Sequence, residues 1–180
     1  MGHSDQDRNH TQIASSSPPR VLISYSHDSE NHREKVLNLA QRLRTDGVDV
    51  QIDQFDAAPE VGWPRWMMKE IETAGFVIIV CTSAYRRRFE GREADGKGKG
   101  VTFEGFLAVQ QIYDANTRNT KFIPVVFGGA SETEVPSVLR AYTRYSLPDQ
   151  FEALYRHITG QPEVVAAPLG PRKILPPRGG

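Results

Sequence analysis

Short apolar, β-branched runs alternate with helically patterned stretches from residue 20 to residue 160, and this alternation constrains the fold more than any other feature. The run Val21–Ser26, between Arg20 and His27, suits a strand buried on both faces. Asp28 or Ser29 can cap the following helix, with Glu30 placed favourably in its first turn. Val36, Leu39, Ala40 and Leu43 then recur at helical spacing, and Asp46-Gly47 stops the helix. Val48–Phe55 alternates as a second strand. A loop over 56–63 leads to a helix from Pro64 to about Ala74, with proline in the favoured first turn. Phe76–Ser83 is the most apolar run and is read as the central strand. Arg86–Gly100 is polar, carries four glycines and reads as a long loop. A helix over 101–115, a strand over Lys121–Phe127, a weak segment over 136–140, a strand over 142–147 and a helix over 148–159 complete the pattern. Gly160 ends that last helix. Strands and helices in such regular alternation predict a parallel sheet covered on both faces.

The flanks read differently. Residues 1–19 are rich in polar residues, end in Ser15-Ser16-Ser17-Pro18-Pro19, and are expected to form a disordered tail. Residues 161–180 carry five prolines and three glycines and are expected to form a semi-stiff linker to a fused or partner sensing domain. The domain proper is therefore 20–160. Lysine plus arginine and aspartate plus glutamate both total 22, so a net charge of zero gives no general attraction to nucleic acid or to an anionic membrane. The single cysteine, Cys81, precludes an intrachain disulfide and fits a reducing compartment. The longest apolar run, Phe76–Cys81, is too short to span a bilayer, and the N-terminus has no signal-peptide core. A cytoplasmic location is the expectation.

In a sheet of this kind ligands bind beyond the carboxyl ends of the strands. No GxGxxG follows the first strand, so the dinucleotide fingerprint is absent. Gly91-READ-Gly96-Lys97 approaches a phosphate loop, but Gly98 stands where a magnesium-binding Ser or Thr is needed. No aspartate ends the third strand, which excludes a phospho-receiver. The five histidines show no metal-ligand spacing, so no metal site is expected.

Arg20-VLISYSHDSENHREKVLNLAQRLRTDGVDVQIDQF resembles the opening of TIR and SEFIR domains. Glu60-VGWPRWMMKEIETAGFVIIVCTSAYRRR is similar to the bacterial SEFIR pattern, and Gly98-KGVTFEG followed by Lys121-FIPVVF continues the likeness over about 20–160. The resemblance implies an α/β, flavodoxin-like three-layer sandwich with a central parallel sheet of about five strands. It also implies self-association, and, in many prokaryotic TIR-like members, hydrolysis of NAD⁺ at the nicotinamide N-glycosidic bond. Such effectors deplete NAD⁺ in defence against infection. On that resemblance NAD⁺ is a substrate and no cofactor is expected. The animal SEFIR adaptors imply the alternative, a non-enzymatic interaction module.

The catalytic glutamate of those TIR-like enzymes matches Glu104 by position. Nicotinamide leaves readily because it is already cationic, so one carboxylate that stabilises an oxocarbenium-like sugar can suffice. A first-turn glutamate is also favoured by the helix dipole in any protein. Many TIR enzymes place a cysteine four residues earlier, where this chain has Gly100. Substrate-binding candidates are Tyr25 and Ser26 at the first strand end, Asp53 and Asp56 flanking the loop, Trp63, and Arg86. Strand-end packing is an equal reading for Tyr25 and Ser26, and a solvated charge run for Arg86. Trp66 reads as core.

Overall fold

The computed structural model describes residues 17–92, 109–111, 114, 118–129 and 131–178. Five parallel strands form one sheet: β1 (Arg20–Ser24), β2 (Asp49–Gln51), β3 (Phe76–Val80), β4 (Phe122–Phe127) and β5 (Tyr145–Leu147). Their order is β2-β1-β3-β4-β5, which puts β3 at the centre, as its apolar run predicts. The chain first winds outward from β1 to β2 and then back across to β3. That reversal creates a topological switch point between β1 and β3.

The helices described over their full length are α1 (Glu30–Thr45), α2 (Trp63–Thr73), α3 (Ser83–Phe89) and α4 (Phe151–Thr159), and they flank the sheet. Two buried clusters show the three layers. Val21, Ile23, Val50, Ile78, Val80, Ile123 and Val125 face α1 and α4, whose Val36, Leu39, Leu43, Phe151, Leu154 and Ile158 pack on them. Leu22, Val77, Ile79, Phe122 and Val126 face the other way, onto Ile71 of α2 and Tyr85 and Phe89 of α3. Alternation along each strand thus feeds two cores, which explains why β1, β3 and β4 are apolar at nearly every position.

Local chemistry sets the helix ends. The Ser29 side chain accepts a hydrogen bond from the His32 amide and caps α1, with Glu30 in the first turn and Arg42 and Arg44 in the last. Gly160 ends α4 in the left-handed conformation, at φ 67°. At the amino ends of the strands, Arg20 reaches Asp49 at 3.3 Å and the buried Glu70 of α2 at 2.6 Å, tying α2 to the sheet.

The structure corrects several sequence boundaries. The second strand stops at Gln51 rather than Phe55, because Asp53–Phe55 turns into a 3-10 helix. The polar loop expected from Arg86 begins inside α3, whose Thr82 cap and buried Tyr85 and Phe89 make Ser83–Phe89 helical. The segment near Pro136 is a 3-10 helix over Ser137–Leu139, the last strand is only Tyr145–Leu147, and the last helix begins at Phe151. Of the helix expected over 101–115, residues 109–111 and 114 are described and are helical. Residues 161–178 form neither helix nor strand and are exposed throughout.

Candidate functional site

The carboxyl ends of β1 and β3 meet at the switch point. There Thr82 Oγ1 donates to Asp28 Oδ2 at 2.6 Å, and Ser26 Oγ donates to Asp28 Oδ1. Arg88 of α3 adds an ion pair to the same carboxylate at 3.6 Å. Thr82 also accepts from the Tyr85 amide and so caps α3. Asp28 thereby joins the β1 loop, the end of β3 and α3 in one contact set.

A second set holds the next turn. Asp53 accepts from Tyr25 Oη at 2.7 Å and bonds His27 Nε2 at 2.6 Å, while Gln54 donates to Tyr25 Oη and to the Arg33 carbonyl. Burial pushes the Tyr25 phenol well above its usual range, and the Asp53 carboxylate pushes it further. Tyr25 therefore acts as a neutral donor.

Between α1 and the ends of β3 and β4 lies a polar cavity of about 270 Å³, lined in part by Asp28, His32, Lys35, Cys81, Thr82 and Phe127. His32 Nε2 is buried there without a hydrogen-bond partner among the described residues, and its ring meets Phe127 edge-on at 6.1 Å. Burial lowers the His32 pKa; Asp28 opposes this, and Lys35 and His27 reinforce it. The Cys81 thiol is pushed up to about 12 by burial, which leaves it protonated and unreactive in the folded state. Beside this cavity an apolar groove of about 340 Å³ runs between α1 and α4, floored by Leu39, Leu147, Pro148 and Phe151 and rimmed by Lys35 and Arg42. Lys35 and Phe127 line both concavities.

The residues singled out from sequence are distributed unevenly over this geometry. Tyr25 and Asp53 are in direct contact, and Ser26 joins Asp28 at the switch point. Asp56 accepts from the Ala58 amide and shapes the loop. Trp63 begins α2, exposed, with its ring edge-on to half-buried Trp66 at 5.6 Å. Arg86 donates to the Thr133 carbonyl and tethers α3 to the following 3-10 helix (Glu132–Glu134). Glu104 lies outside the described residues, as does the near-phosphate-loop from Glu93 onward. Asp28 stands at the strand end and cap position that the sequence indicates, whereas sequence reasoning does not single out His32 or Thr82 for the site. For Thr82 the sequence carries a signal: a hydroxyl residue directly after the apolar run Phe76–Cys81 and three before Tyr85. Among the described residues no His, Cys, Asp and Glu cluster could hold a metal ion, and no helix is long and apolar enough to cross a membrane.

Comparison with known proteins places this arrangement. Human interleukin-17 receptor D is 29% identical over 161 residues, covering 78% of this chain and 21% of the receptor. The chain spans about a fifth of the length of the curated relatives it matches. The crystal structure of a prokaryotic SEFIR domain superposes with a TM-score of 0.60 at 28% identity, covering 84% of this chain and 99% of that one. The SEFIR domain of interleukin-17 receptor B shares the fold, with a TM-score of 0.60 at 16% identity over 81% of this chain and 98% of that one. The family model described as the SEFIR domain matches residues 19–158. With a five-stranded parallel sheet and a family match over residues 19–158, this chain belongs to the SEFIR domain family.

Proposed function

We propose that this SEFIR domain works as a signalling module that assembles head to tail with copies of itself. The observation that carries this reading is a pair of complementary surfaces on one chain. The groove between α1 and α4 is apolar with a cationic rim of Lys35 and Arg42. The loop before α2 carries Asp56 and Glu60 and exposes Val61, and Trp63, the first residue of α2, is exposed beside it. Two different patches that fit each other give a heterologous contact, which propagates rather than closing at two. The named relatives are receptors, and an assembling domain of the same family fits transmission of a signal.

The test is the solution mass of the 20.2 kDa chain as its concentration rises, beside Lys35→Glu and Glu60→Lys. Both residues are exposed, so neither change threatens the core. The wild type should grow in mass and each variant should lag. A wild type that stays monomeric, or variants that match it, would end this reading.

A second reading is hydrolysis of NAD⁺ by the assembled form, with Glu104 as the carboxylate. The polar strand-end cavity beside α1 favours it, since this is where the fold admits ligands. Water would add to C1′ of the nicotinamide ribose as the C1′–N bond breaks, giving nicotinamide, ADP-ribose and a proton. NAD⁺ loss with free nicotinamide from clustered wild type, and none from Glu104→Ala, would support it. No turnover from either protein, with assembly confirmed, leaves the module non-enzymatic.

A further inference from the structure

The segment after α4 has a periodicity that neither core uses. Val165, Pro168, Pro171, Ile174 and Pro177 recur every third residue. A polyproline II helix has three residues per turn, and in that conformation these five side chains would share one edge as an apolar ridge. The prolines fix their own φ and push Ala167, Gly170 and Leu175 toward extended backbone, which favours that helix over α-helix. Arg172, Lys173 and Arg178 lie on the other two edges and surround the ridge with positive charge.

The folded domain makes no use of the ridge. Residues 161–178 form neither helix nor strand, and all are exposed. Val165 is 79% exposed and Ile174 91% exposed, values far from those of a segment packed on its own domain. Leu169 and Leu175 are exposed beside them. A stiff, pre-extended ridge loses little entropy on docking, which is the usual advantage of proline-rich ligands.

From this pattern we infer that residues 165–177 are a polyproline II ligand for a partner domain bearing an aromatic-lined groove with an acidic rim, of the SH3 kind. Pro168 and Pro171 supply the two proline turns that such grooves grip. Lys173, two residues beyond, meets the acidic rim and sets the direction of docking.

The experiment titrates the full chain into a panel of isotope-labelled SH3 domains covering both ligand orientations and follows their amide resonances. Saturable shifts confined to the aromatic groove of at least one domain are expected. Exchanging residues 168 and 169 (Pro168→Leu with Leu169→Pro) keeps composition, charge and an apolar side chain at 168 but destroys the Pro168–Pro171 spacing, and should weaken binding about tenfold or more. Lys173→Glu should weaken it comparably. These positions lie outside both cores, so an unchanged melting curve will show the domain intact. The inference is overturned if no domain shows saturable shifts. It is equally overturned if the exchange leaves affinity unaltered, because the proline spacing is then not what the groove grips.

Discussion

Replacing Arg20 by methionine should destabilise the domain by about 2 kcal/mol, and replacing its partner as well should restore most of the loss. The Arg20 guanidinium reaches Glu70 at 2.6 Å and Asp49 at 3.3 Å. The Glu70 side chain is only 7% exposed, and Arg20 is its hydrogen-bond partner among the described residues. Removing one member of a fully buried pair costs about 3–5 kcal/mol, because the remaining charge is stranded. Arg20 is itself about one-third exposed, so water already screens part of the pair and the figure falls to about 2 kcal/mol. Asp49 is less affected, since Arg44 remains within 3.5 Å. In the double variant Arg20→Met/Glu70→Leu no charge is stranded, and stability should return to within about 1 kcal/mol of wild type. Urea unfolding followed by tryptophan fluorescence measures this, with half-buried Trp66 on α2 as reporter. A single variant costing less than about 0.5 kcal/mol, or a double variant less stable than the single, would refute the stranded-charge argument.

Other outcomes follow from the same geometry. In the head-to-tail arrangement, Trp63→Ala keeps an intact groove and Lys35→Glu an intact loop. Each should assemble poorly alone, yet an equimolar mixture should form dimers that grow no further, seen by light scattering; a mixture that stays monomeric sinks the arrangement. Leu43→Ala, at a fully buried position of α1, should cost about 3 kcal/mol in chemical denaturation, and a loss below about 1 kcal/mol would mean the helix packs elsewhere. Burial lowers the His32 pKa, so below about pH 6.5 the unfolded chain takes up a proton that the folded one resists. Stability contributed at this site is thus complete above that pH and lost as pH falls toward the folded pKa; His32→Asn should flatten the decline, and an unchanged slope would exclude it. Cys81, the lone thiol, should react with iodoacetamide at pH 8 only as fast as the chain opens, and rapid labelling of the native protein would contradict its burial.

What was legible in the sequence was whatever burial on both faces writes into it. β1, β3 and β4 read clearly, because a central parallel strand must be apolar at odd and even positions alike. α1 read clearly because Val36, Leu39, Ala40 and Leu43 form one stripe. α3 was lost behind Arg86-Arg87-Arg88, although Tyr85 and Phe89, one turn apart, are what seats it. β2 ends sooner than the sequence suggests because the alternation of Val48, Val50 and Ile52 runs past Gln51. The pull of Tyr25 and His27 on Asp53, which turns the chain there, joins residues distant in sequence. The site shows the same division. Strand-end residues such as Tyr25, Ser26 and Asp28 follow from position, whereas the partners of Asp28, Thr82 and Arg88, arrive from another strand and helix.

The edge strands β2 and β5 are only three residues long, and β2 begins with Asp49 held between Arg20 and Arg44. Such short, charge-guarded margins offer little template for another chain to add a strand. Molecules crowded together at high local concentration would therefore meet through side chains and separate again, rather than fusing into amyloid-like ribbons. The assembly proposed for this domain requires reversibility of that kind.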